Sequence, residues 1–357
     1  MEKLCVILQH INMYNIKRQK MEKQFHIEFP ELMKGKKVMY VHGFASSAQS
    51  GTVALLRQLM PNAEVVADDV PLVPQEAIEF LRCRAEEEKP DLIIGTSAGG
   101  MMTEQLYGYD RILVNPAFQM GDTMGKHGMT GKQTYQNPRR DGVQEFIVTK
   151  ALVKQFADLT EQCFAPESQT PEEQSRVWAM FGDNDPLVHT FDLCREHYPH
   201  AVKFHGEHRL IDSVAIHYLV PVIRWIDDRQ EGREKPVLYI TLDAMRDGYG
   251  KPRSNMHKTF ERLIETYDVY FVVKAPTNDH DYIAQSQAWI EDAISAPAYD
   301  RVIMTNRPAL LLGDFIISVE DEKGFMGSCI QLGTPDFKCW EDIETYFMRI
   351  RNGCANT

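Results

Sequence analysis

Gly95-Thr96-Ser97-Ala98-Gly99 sets a serine hydroxyl among small neighbours, directly after the apolar run Leu92-Ile93-Ile94. In a sharp strand-to-helix turn such a hydroxyl stands clear of the sheet edge, and larger flanking side chains would collide as the chain turns back. The G-x-S-x-G pattern alone also describes ordinary glycine-rich turns, so its partners matter. A hydroxyl attacks only when a base takes its proton, and a serine of this kind is followed along the chain by its acid and then its histidine. Gly182-Asp183-Asn184-Asp185 follows the apolar run Val177–Phe181. Asp185 stands where a strand end would deliver a carboxylate. Asp183 competes with it, and either fits a turn residue bonding its own backbone. His205-Gly206-Glu207-His208 follows Ala201–Phe204. His208 falls on the loop and His205 competes with it; the plainer reading of each is a solvated surface histidine. The order along the chain favours Ser97 as nucleophile, Asp185 as acid and His208 as base. The oxyanion needs backbone donors, and the turn in Val41-His42-Gly43-Phe44 points to the N–H groups of Phe44 and Ala98. The His42 side chain reads as structural.

These residues require elements to carry them. From Lys36 onward, short apolar runs alternate with stretches of helical spacing. Strands are expected at Val38–His42, Glu64–Val66, Asp91–Ile94, Arg111–Val114, Val177–Phe181 and Ala201–Phe204, with helices over Ala48–Met60, Gln75–Glu88 and from about Arg209 to Asp228. Such alternation predicts a parallel sheet covered on both faces. Between about 118 and 175 the rhythm pauses in a glycine- and methionine-containing insert, the length of a lid or substrate loop. Met120, Met124 and Met129 suit an adaptable acyl pocket, although packing is the plainer use. Arg139 and Arg140 could meet an anionic group, but a solvated basic pair is the simpler expectation. Gln230–Pro236 is a charged Gly/Pro punctuation mark that reads as a linker. The expected organisation is an N-terminal extension over 1–33 with no assigned role, a first domain over 34–232 and a second over 233–357.

The 357 residues carry a formal net charge of −12, with 43% hydrophobic and 25% charged residues. The acidic balance argues against nucleic acid or an anionic membrane as partner. No apolar run approaches the roughly 20 residues of a membrane span, and no signal peptide is read at the start. Seven scattered cysteines without a CxxC pair suit reduced thiols in a cytoplasm. No Cys/His cluster has metal-ligand spacing, so no metal is expected. Self-association is left open.

Residues 36–230 resemble the YqiA/YcfP-type α/β-hydrolases, a group of small bacterial esterases. The resemblance rests on Val-His-Gly-Phe-Ala-Ser-Ser at 41–47, Gly-Thr-Ser-Ala-Gly-Gly at 95–100, Val-Asn-Pro-Ala at 114–117, Gly-Asp-Asn-Asp at 182–185 and Gly-Glu-His-Arg at 206–209. It implies a doubly wound, mostly parallel α/β-hydrolase sheet and the set Ser97, Asp185 and His208. It also implies hydrolysis of a small-molecule ester or thioester without a cofactor.

Residues 236–350 resemble a second family, the HAD-like phosphatases of the cytosolic 5'(3')-deoxyribonucleotidase type, with a smaller Rossmann-like α/β fold. Leu312-Gly313-Asp314-Phe315-Ile316-Ile317, Phe325–Gly333 and Trp340-Glu341-Asp342-Ile343 carry it. The chemistry of that family does not transfer. Thr241-Leu242-Asp243 stands where Asp-x-Asp is expected, Ser318-Val319 replaces paired aspartates, and Lys274 takes the place of a Thr or Ser. A Thr hydroxyl cannot both attack phosphorus and bind the metal, and Asp247 and Asp314 read as turn residues. A degenerate second domain is therefore expected. The competing readings are a metal-dependent 5'-nucleotidase or phosphatase activity there, or a non-catalytic scaffold throughout.

Overall fold

The computed structural model describes residues 27–354; residues 1–26 of the expected extension lie outside them. By contacts the chain falls into two compact units. Of the described residues, one holds 27–179, Asp185–His200 and His208–Ser213, and the other holds Met180–Asn184, Ala201–Glu207 and 214–354. Packed structure begins ahead of the first expected strand. Leu32 and Met33 are buried, and the Phe29 N–H donates to the Leu59 carbonyl at 2.8 Å.

The first sheet has six strands: β1 (Lys37–Val41), β2 (Glu64–Ala67), β3 (Leu92–Thr96), β4 (Arg111–Val114), β7 (Val177–Gly182) and β8 (His200–Phe204). Their order is β2-β1-β3-β4-β7-β8. β1 pairs in parallel with β2 and β3, and β3 with β4. Strands buried on both faces lose the alternation of a half-exposed strand, which is why Leu92-Ile93-Ile94 reads as an unbroken apolar run. The helices between strands bury one stripe each. Gly51–Leu59 buries Val53, Leu56 and Leu59, and Pro74–Glu88 buries Ala77, Ile78, Leu81 and Ala85, the three-and-four spacing of one helical face.

The insert is more ordered than its sequence suggests. It holds helix Met120–Lys126, the antiparallel hairpin β5 (Gly131–Thr134) with β6 (Glu145–Val148), and helix Lys150–Thr160. The last helix is N-capped by Thr149, whose side chain accepts from the Leu152 N–H. Met120 and Met124 are buried and serve packing.

The second sheet is parallel throughout, in the order β11-β10-β9-β12-β13. Its strands are β9 (Val237–Thr241), β10 (Asp268–Lys274), β11 (Val302–Thr305), β12 (Phe315–Ser318) and β13 (Ser328–Gln331). Leu238, Ile240, Phe271, Val273 and Ile317 form its core with Phe260 and Trp340 from the helices. The chain leaves β9 for β10 on one side and returns to β12 on the other. The carboxyl ends of β9 and β12 therefore flank a topological switch point, where open α/β sheets usually place ligands. Among the described residues no helix is long and apolar enough to cross a membrane.

Candidate active site

β3 ends on Thr96 and helix Ala98–Glu104 begins one residue later, leaving Ser97 alone in the turn at φ 56 and ψ −123. A non-glycine residue at positive φ is strained, and such strain is characteristic of functional turns. Two glycines make the turn possible. A Cβ on Gly95 would lie 2.3 Å from Thr103 Oγ1 and 2.5 Å from the Gly99 carbonyl oxygen; one on Gly99 would lie 2.3 Å from the carbonyl oxygen of Val41. The main chain of Ser97 is fixed as well: its N–H donates to the Val114 carbonyl at 2.9 Å, and its carbonyl accepts from Ala117 at 3.0 Å.

The side-chain hydroxyl faces a histidine. His208 Nε2 lies 3.0 Å from Ser97 Oγ, and His208 Nδ1 lies 2.7 Å from Asp185 Oδ2. An ionised carboxylate only accepts, so Nδ1 carries the proton and Nε2 presents a lone pair to the hydroxyl. The other oxygen of Asp185 accepts from the N–H groups of Leu187 and Val188 at 2.7 and 3.1 Å. Burial alone would push the Asp185 carboxyl up. The His208 bond and the two amides outweigh that effect and hold it below the usual carboxylate value. Asn115 supports the histidine from β4, its Nδ2 donating to the His208 carbonyl at 3.1 Å. The Val-Asn-Pro-Ala motif at 114–117 carries part of the family resemblance, but no local pattern assigns Asn115 this contact.

The competing pair is also a pair. His205 Nδ1 lies 2.6 Å from Asp183 Oδ2, so each histidine has its own carboxylate and only His208 reaches the serine. His42 is structural, as expected. Its Nε2 accepts from the Val70 N–H at 3.0 Å and its Nδ1 donates to the Gly43 carbonyl at 2.9 Å. Burial lowers its pKa and keeps it neutral.

The turn after β1 reaches Ser97. A Cβ on Gly43 would lie 3.1 Å from Ser97 Cβ. Phe44 and Ala98 both line a recess completed by Val70, Leu72, Met102 and Phe156, among others. Its walls are mostly apolar, and Tyr135 of the insert contributes to them. Of the two arginines, Arg140 stays largely in solvent, with its side chain 57% exposed, and Arg139 does not. The Arg139 side chain is only 8% exposed, ion-paired to Asp141 and donating to the Val70 carbonyl, while Arg140 bonds Asp68 and the Ala67 carbonyl. Apart from Asp141, these partners lie some seventy residues away, which hides the role from local reading.

In the second unit Thr241 ends β9, is 1% exposed, and its hydroxyl finds no protein partner among the described residues. Ser318 ends β12 and donates to Glu322 Oε1 at 2.7 Å. Lys274 ends β10 and pairs with Glu320 at 2.7 Å and Glu322 at 2.6 Å. Asp247 accepts from the N–H groups of Tyr249 and Lys251 and is a turn residue, whereas the Asp314 carboxylate accepts from the N–H of Val237, 77 residues away, and ties the starts of β9 and β12 together. Among the described residues no group of three or more His, Cys, Asp or Glu side chains is placed to hold a metal ion.

Known proteins align with each half. One relative is a putative 5'(3')-deoxyribonucleotidase of Vibrio phage KVP40, 28% identical over 141 residues, covering 38% of this chain and 74% of that protein. It supports the nucleotidase resemblance of the second domain. Among solved structures, Est1E from Butyrivibrio proteoclasticus is 11% identical with a TM-score of 0.40, covering 56% of this chain and 90% of that one. The methylesterase MES16 from Arabidopsis is 11% identical with a TM-score of 0.35, covering 56% and 100%. Residues 37–204, the span that builds the first sheet, match the model of the uncharacterised protein family UPF0227.

Proposed function

We propose that the protein is a serine hydrolase that cleaves a carboxylic ester or thioester through an acyl-enzyme. The carrying observation is the continuous hydrogen-bonded series from Asp185 through His208 to Ser97 Oγ, at 2.7 and 3.0 Å. His208 Nε2 takes the proton as Ser97 Oγ attacks the carbonyl carbon, and Asp185 stabilises the imidazolium that forms. The oxyanion receives the N–H groups of Phe44 and Ala98, and His208 returns the proton to the leaving oxygen or sulfur. Water, activated by the same histidine, then releases the acid. The apolar recess beside Phe44 and Ala98 suits the hydrocarbon part of the acyl group. No metal takes part in this sequence of steps. The test is a fluorophosphonate probe on the wild-type protein: a covalent adduct on Ser97 with matching loss of ester hydrolysis is expected. An unlabelled Ser97 in an active preparation overturns the assignment.

A further inference from the structure

The acid and base of the proposed site travel on separate loops. Asp185 follows β7 and His208 follows β8, and a misplacement of about 1 Å between reacting groups can cost a hundredfold in rate. Something must fasten the two loops together, and the bonds that do so converge on Asp183. Its N–H donates to the Phe204 carbonyl at 3.0 Å. Its Oδ1 accepts from the Gly206 N–H at 3.1 Å, and its Oδ2 accepts from His205 Nδ1 at 2.6 Å. The next residue adds Asn184 N–H to the Gly206 carbonyl at 3.0 Å. The loops touch without a side chain between them: a Cβ on Gly182 would lie 2.6 Å from the Gly206 carbonyl oxygen and 2.8 Å from that of Glu207.

His205 is held at its far side too. Its Nε2 lies 2.5 Å from the Asp292 carbonyl oxygen, with the Asp292 carboxylate at 3.9 Å and the Tyr218 ring edge-on at 6.5 Å between centroids. A ring with acceptors on both nitrogens is best satisfied when doubly protonated. In agreement, the bonds to Asp183 and to the Asp292 carbonyl raise its pKa. For Asp183 burial acts upward, and the bonds from His205 and Gly206 outweigh it.

We propose that Asp183 and His205 are positioning residues for the reaction at Ser97, a second carboxylate–imidazole pair that fastens the loop bearing Asp185 to the loop bearing His208. Neither touches the reacting atoms. The inference rests on the reading of Ser97, His208 and Asp185 as the catalytic set.

The experiment compares wild type, Ser97→Ala, His205→Ala and His205→Asn with p-nitrophenyl acetate, measuring kcat and KM separately and recording each melting temperature. His205→Ala is expected to lower kcat about ten- to a hundredfold with KM little changed. His205→Asn, whose side-chain amide can donate to Asp183 from near the place of Nδ1, is expected to recover most of kcat. Two results overturn the inference alone: wild-type kcat in His205→Ala, or a loss that follows melting temperature and is not recovered by His205→Asn. Asp183→Ala, read in the same way, covers the case in which His205→Ala fails to fold. A wild-type protein with neither turnover nor a Ser97 adduct overturns the catalytic reading, and this inference with it.

Discussion

The carboxyl edges of the two sheets carry similar residue types in opposite states. At the first, Ser97 Oγ is offered to His208 Nε2 and an apolar recess opens beside it. At the second, Ser318 is bonded to Glu322, and Lys274 bridges Glu322 and Glu320. Thr241, where the resemblance places a nucleophilic carboxylate, is buried with its hydroxyl unbonded to protein among the described residues. The first edge directs its charge along one line ending at a hydroxyl. The second closes its charge on itself, with a tethered ammonium among the carboxylates. A parallel sheet with a switch point is thus a place for chemistry and not a source of it; fold and function are separable.

The largest effect should separate the edges outright. Ser97→Ala is expected to reduce ester hydrolysis by about 10⁴- to 10⁶-fold while melting close to wild type, since only one hydroxyl in a turn is lost. The same variant, given nucleoside monophosphates and Mg²⁺, should release no phosphate above a blank, because Thr241 cannot supply the missing carboxylate. Robust phosphate release would show that the second edge is an active site and break the contrast.

A smaller effect tests the closed charge. Lys274→Met leaves Glu322, 9% exposed, without its cation but still bonded to Ser318. A loss of about 1–3 kcal/mol is expected, with ester hydrolysis unchanged. The pH dependence has a definite sign. The Lys274 bond holds Glu320 below its ordinary 4.5. Burial acts against the Lys274 ammonium, but the bonds to Glu320 and Glu322 raise its pKa above the ordinary 10.5. The contribution of the pair is therefore complete between 4.5 and 10.5. It is lost as pH falls through the depressed Glu320 value or rises through the raised Lys274 value. The stability gap between wild type and variant, followed by thermal melts across pH, should stay level through neutrality and close in acid. A gap that widens in acid would show that Lys274 is not their counter-ion.

The first edge was legible because its signals are local. Small residues around Ser97, an apolar run before it, and acidic and basic loops after later runs all follow from strand-end geometry. Chain order does not separate Asp185 from Asp183 or His208 from His205; their place on the loops beyond the strand ends does, and the structure pairs both sets, so neither competitor was idle. The hairpin β5–β6 was not legible. Gly131–Thr134 has no buried residue, and in Glu145–Val148 the exposed Ile147 stands between buried Phe146 and Val148, so the alternation of burial does not show as alternation of residue type. The role of Arg139 depends on the Val70 carbonyl, and no local pattern encodes such a distant acceptor. The packing of Leu32 and Met33 was hidden for the same reason.

The smallest effect concerns Thr241. Thr and Val have nearly the same shape, and Thr241→Val replaces a buried hydroxyl by a methyl group. A buried hydroxyl without a partner costs the desolvation of its polar atom with no return. At a bonded site the substitution would lose about 1 kcal/mol or more. Here it should be neutral or should stabilise the protein by up to about 1 kcal/mol, equivalent to a rise in melting temperature of no more than about 4 °C. Ester hydrolysis should be unaffected. A clear loss of stability would mean that the hydroxyl has a partner after all, such as an ordered water or a small polar ligand at the switch point between β9 and β12. The second edge would then be a binding site, and the difference between the two edges would be one of chemistry performed and not of ligand held.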